Sequence, residues 1–147
     1  MTPTVAAHPP LASVGAGAIL NAGLTGGAIA AAANLALYAV ARLAGVEFVA
    51  RFDPHAAASA LPFFMPAVSS LVPSVFAALV MLGLTKALAR PAVPFAVLSG
   101  VLAIVSCGAP LTLAEASPAT QIVLAVMHLI AGAAIVAPLM RVASRAS

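Results

Sequence analysis

Six polar side chains lie inside or at the edges of otherwise apolar runs, where they could meet a ligand: Asn34, Tyr38, Ser74, Ser106, Gln121 and His128. His128 is the one suited to acid–base chemistry, because imidazole titrates near neutral pH and its neutral form both donates and accepts a hydrogen bond. It sits between Leu124-Ala125-Val126-Met127 and Leu129-Ile130-Ala131, with no charge nearby. A full charge at the centre of a bilayer costs about 2.5 kcal/mol or more, so ionisable groups there turn away from lipid. His128 is therefore expected to point inward, with Asn34 as its partner and Ser74 or Ser106 as substitutes. Such a pair is first of all a packing device. As a functional group His128 could bind a ligand, carry a proton or ligate haem, although haem would need a second chain for its other axial ligand.

Other chemistries lack their parts. Cys107 is the single cysteine, which excludes an internal disulfide, paired-cysteine zinc sites and thiol–disulfide redox work; it reads as a small buried hydrophobe. Metal-assisted hydrolysis needs several histidine or acidic ligands close together. Glu47, Asp53 and His55 match no metal-ligand spacing. The acids Glu47, Asp53 and Glu115 all fall outside the apolar runs, so the intramembrane carboxylate of small proton-coupled exporters is missing. No catalytic residue, metal or cofactor is assigned. The expected role is that of a membrane accessory or scaffold component. The alternative is a small transporter or hydrophobic-ligand binder with a midplane polar site around His128.

The elements that must position these residues follow from composition. Of 147 residues, 64% are hydrophobic and 6% charged, and the mean hydropathy is +1.20. Soluble domains carry about a quarter charged residues, and disordered chains need low hydrophobicity. The apolar surplus must face lipid, which makes the bilayer the first partner. The high pI reflects six basic residues against three acidic ones, without a basic cluster, so nucleic acid is not an expected partner.

A span needs about 20 apolar residues. Charge-free stretches and proline breaks predict an all-α integral membrane protein of four transmembrane helices, near 16–42, 65–85, 93–113 and 119–140, in an up-down-up-down bundle over residues 13–147. Residues 1–12 read as a disordered, proline-rich arm. The N-terminus has no basic n-region, so the first helix is expected to be retained. Lys86, Arg90, Arg141 and Arg145 fall on one side and Arg42 and Arg51 on the other, which predicts both termini inside. In the first loop, Asp53-Pro54 predicts an N-cap and a short interfacial helix leading to Phe63 and Phe64.

Helices in lipid associate through small and polar residues. At 100° per residue, Gly23, Gly27, Ala30, Asn34 and Tyr38 share one face of the first helix, while Leu24, Ile29, Leu35 and Val40 point elsewhere. Ser70, Ser74, Ala77 and Met81 align on the second helix, Ser99, Ala103, Ser106 and Pro110 on the third, and Gln121, His128, Gly132 and Ile135 on the fourth. Four such fronts predict a closed bundle, with Gly23-x-x-x-Gly27 packing within the chain. Small-residue faces could also seat other membrane proteins or a second copy. Asn34 and His128 fall at one depth, roughly 12–14 Å from the outer ends at 1.5 Å per residue. Pro66 and Pro73 are expected to bend the second helix.

Asn34-Leu35-Ala36-Leu37-Tyr38 followed by Arg42 and Gly45-Val46, together with Met127-His128-Leu129-Ile130-Ala131-Gly132, Ile135-Val136 and Pro138, resembles the domain of unknown function 6069 family of small bacterial membrane proteins over about residues 20–141. The resemblance implies four spans in a bacterial cytoplasmic membrane and carries no activity or catalytic residue.

Overall fold

The computed structural model describes residues 15–53 and 55–144; the expected N-terminal arm lies outside them. Four helices carry the described chain: α1 (Ala16–Leu43), α2 (Met65–Ala87), α3 (Ala92–Leu111) and α4 (Pro118–Ala143). Each is long and apolar enough to cross a bilayer, and the chain is a multi-pass integral membrane protein. α4 opens on Ser117, whose Oγ accepts from the Thr120 amide at 3.2 Å, with Pro118 in the first helical position. Pro66 occupies the same kind of position in α2, where its missing N–H costs nothing, so of the two prolines expected to bend that helix only Pro73 is interior.

α1 is the centre of the packing. Gly23 and Gly27 lie against Ala78 and Ser74 of α2, while Gly26 lies against the Ala134 and Ile135 backbone of α4. Leu24, Ile29 and Val40 are exposed, as lipid-facing residues should be; Leu35, expected beside them, is half-buried. α3 packs on α4, and the consecutive helices α2 and α3 barely touch. The expected closed bundle is therefore corrected. Because glycine faces on α1 draw in α2 and α4 together, α3 has only α4 left to pack against, and a cleft stays open between α2 and α3.

The apolar core divides in two. One part, including Ile19, Met81, Phe95 and Leu139, fills the end that holds the start of α1 and the finish of α4. The other, built on Ala41, Phe48 and Met127, closes the opposite end.

A hairpin caps that second end in place of the expected interfacial helix. β1 (Val49–Ala50) pairs antiparallel with β2 (Ser59–Ala60), Val49 opposite Ala60. Asp53 does not start a helix; its Oδ1 accepts from the His55 amide two residues on, which holds a turn instead. α1 ends in a Schellman motif, the Val46 amide meeting the Ala41 carbonyl and the Gly45 amide that of Arg42. Gly45 has φ +91°, a conformation that suits glycine. Tyr38 stacks on Phe48 at 4.5 Å and donates to the Leu61 carbonyl at 2.9 Å. The Arg51 amide reaches the Ala114 carbonyl and its guanidinium pairs with Glu115, so the hairpin is tied to the α3–α4 loop. That ion pair is half-exposed and contributes at most about 1 kcal/mol.

The glycine contacts generate a sign test. A Cβ at Gly26 would lie 2.6 Å from the Ala134 carbonyl oxygen, backbone that cannot step aside, whereas one at Gly100 meets nothing within 4 Å. Gly26→Ala should destabilise by about 1–3 kcal/mol through overpacking, and Gly100→Ala should stabilise by up to about 1 kcal/mol through helix propensity. Unfolding of both variants in one detergent measures the pair of signs.

Candidate functional site

Asn34 lies seven residues beyond Gly27 on α1, two helical turns along the same face, and is 3% exposed. Its Nδ2 donates to Ser70 Oγ of α2 at 3.1 Å and to the Met127 carbonyl of α4 at 3.2 Å. Ser70 Oγ gives its own proton to the Pro66 carbonyl at 2.7 Å and so can only accept from Asn34, which sets the orientation of the amide. Asn34 thus joins three helices. Its Oδ1 is left buried with no donor.

His128 does not take the place expected for it. Its Nδ1 lies 2.8 Å from the Leu124 carbonyl, one turn back on its own helix. A carbonyl oxygen only accepts, so Nδ1 carries the proton, and in the neutral ring Nε2 is an acceptor. The expected Asn34–His128 bond is replaced by the Asn34–Ser70 bond, because Ser70 and the Met127 carbonyl already use both amide protons. His128 and Asn34 instead border a common space. A cavity of about 270 Å³ is lined by Asn34 from α1, Met65 and Pro66 from α2, Pro110 from α3, His128 from α4 and Phe52 from the hairpin loop. A second, of about 470 Å³, occupies the cleft between α2 and α3, with Phe76, Val80, Phe95, Leu102 and Ile135 among its walls. Ser69, His128 and Ala131 border both spaces, so the two meet at the histidine.

The other residues singled out in the sequence divide. Ser106 is half-buried on the cleft wall, its hydroxyl given to the Ala103 carbonyl at 3.0 Å. Ser74 is buried under Gly27 and donates to the Leu71 carbonyl, away from both spaces. Tyr38 fastens the hairpin, and Gln121 donates to the Leu113 carbonyl at 3.1 Å, holding the α3–α4 loop. Ser69 was overlooked because it falls just off the small-residue stripe of α2. The proline spacing marked it all the same: Pro73 and Pro110 have no N–H to offer the carbonyls four residues back, those of Ser69 and Ser106. Two carbonyls that lost their helical donors therefore belong to residues on facing walls of the cleft.

Double-mutant cycles separate the observed pair from the expected one. The Asn34/Ser70 coupling should fall near 0.6 kcal/mol, within a ceiling of about 1.7, as for other interhelical hydrogen bonds in membranes. The Asn34/His128 coupling should be indistinguishable from zero in the same unfolding measurement.

No curated protein and no solved structure matches the chain. A family model does, over residues 14–145, covering all four helices, the hairpin and both cavities. The chain belongs to the family of unknown function DUF6069.

Proposed function

We propose that this protein binds a hydrophobic or amphiphilic molecule drawn from the bilayer, as a small carrier or ligand-binding membrane component. One observation carries the reading: the cleft between α2 and α3 runs in from the lipid-facing surface to His128, which also borders the cavity lined by Asn34. Phe76 and Leu102, on opposite walls, are both exposed, which leaves the cleft reachable sideways by a lipid-dissolved molecule. Ligand sites typically occupy roughly 300–1,000 Å³ and combine apolar walls with a few placed polar groups, and the two adjoining spaces have that character.

A scaffold role has its own support in α3. It is the least buried of the four helices: Phe95 and Pro110 are its two buried residues, against nine in α1. Gly100 and Gly108 are exposed there with open space around them. A helix of another membrane protein, or of a second copy, could approach that face closely. For either role we place the protein in a bacterial cytoplasmic membrane with both termini cytoplasmic, on the lysine and arginine asymmetry.

Ala131 borders both spaces, so Ala131→Phe should fill their junction. Native mass spectrometry of the wild type is expected to retain a bound small molecule after bulk lipid is stripped, and Ala131→Phe to lose it while remaining folded. Identical spectra of bare protein from both would overturn the binding reading. For orientation, Thr2→Cys and Ser147→Cys in a Cys107→Ala background should both resist an impermeant thiol reagent in intact cells; labelling of either end would reverse or recount the spans.

A further inference from the structure

We infer that the occupant of this cleft is a neutral amphiphile whose head carries two or more hydroxyl donors, such as a monoacylglycerol-type diol, with its single chain lying between α2 and α3. The inference rests on the cleft being a ligand site, as proposed above, and adds the chemistry of the head.

The polar layer at the junction has spent its donors and kept its acceptors. Both Asn34 amide protons are used, and the hydroxyls of Ser69, Ser70 and Ser106 are given to the carbonyls of Met65, Pro66 and Ala103. His128 has committed its Nδ1 proton to Leu124. Left over are Asn34 Oδ1, buried and without a donor, and His128 Nε2, two acceptors for two donors. Ser99, whose hydroxyl also borders the cleft, is two turns further along α3 and belongs to its apolar half.

A buried acceptor with no donor has lost its solvation without compensation, which a ligand supplying the proton would recover. One water could answer one acceptor. A water takes up only about 30 Å³ of liquid volume, however, and the outer cavity alone is about 270 Å³ with mostly apolar walls.

The same layer turns other head groups away. Carboxylates, phosphodiesters and quinones bring acceptors to acceptors. An ammonium brings donors but also a charge, and neither space has an acidic side chain among its walls to balance it. A diol offers donors without charge. Beyond the layer, Phe76, Val80, Phe95 and Leu102 provide an apolar channel open to the bilayer, suited to an acyl chain.

Three photoreactive probes with one chain and three heads test this in phosphatidylcholine vesicles holding the full chain. The heads are a glycerol diol, its dimethyl ether and a primary ammonium. Crosslinks are mapped to peptides containing Phe76 or Leu102 and compared with the lipid-facing reference at Leu24 and Ile29. The diol should label the cleft about fivefold or more above the other two, the factor one net hydrogen bond supplies. His128→Leu should erase much of that preference and His128→Gln, which keeps an acceptor, should preserve it. Equal labelling by diol and ether in the wild type would overturn the head-group inference while leaving the cleft occupied. Stronger labelling by the ammonium would overturn its neutrality. An undiminished preference in His128→Leu would remove His128 from the layer and overturn it as drawn. Cleft labelling no higher than the reference for every probe would overturn the ligand site itself.

Discussion

The closeness of α1 to two neighbours at once is the constraint from which the rest follows. Lipid gives helices no hydrophobic reason to associate, so contact must come from packing that glycine permits. With Gly23 and Gly27 turned to α2 and Gly26 to α4, a single helix uses two adjacent faces and holds both partners. That leaves α3 without access to α1. It packs on α4, stands apart from α2, and the cleft is the space this arrangement cannot fill.

The polar layer sits two to three turns beyond those glycines. Asn34 can bond α2 and α4 together because the glycines have already brought all three backbones near each other. Its amide is a fork with two donors, and both tines find acceptors; the carbonyl on the other side does not. Such imbalance would be costly in a sealed core, where an unmet polar group loses its solvation for nothing. Asn34 borders a cavity instead. Of the three interior prolines, Pro73 and Pro110 each withhold a helical donor from the carbonyl of a residue on the cleft wall.

The hairpin contributes by closing the far end. Phe48 holds a positive φ of 55°, which costs free energy for a residue with a Cβ. Its ring is completely buried and stacked on Tyr38, and that burial offsets the cost. With Tyr38 bonded to Leu61 and Arg51 to Glu115, the loop is fastened to α1 and to the α3–α4 turn. The cavity on this side is lined by Phe52 and Leu61 of the loop as well as by all four helices, and it shares Ser69, His128 and Ala131 with the cleft.

By itself the sequence determined the class of the protein and the inward faces of its helices. Nine charges in 147 residues require lipid as the solvent, and the 100° period puts Gly23, Gly27, Ala30 and Asn34 on one buried face whatever that face meets. The family was recognisable from the Asn34–Tyr38 and Met127–Gly132 segments. What a helical wheel cannot contain is which helix is adjacent to which. Four small-residue fronts are consistent with a closed ring or with a central α1 and a displaced α3, and the choice depends on Gly26, whose contact with the α4 backbone arises only once the helices are placed. Hydrogen-bond partners follow the same rule. Asn34 had Ser70, Ser74, Ser106 and His128 within a turn or two of its depth, and reach decides among them, a matter of a few ångströms that depth along an axis does not specify. The loop was misread for a related reason: Asp53 followed by proline suits a helix start and a turn alike, and the strand pairing that selects the turn joins residues far beyond a single turn, Val49 with Ala60 and Ala50 with Ser59. Composition and periodicity are properties of a segment; adjacency, reach and pairing are properties of the packed chain.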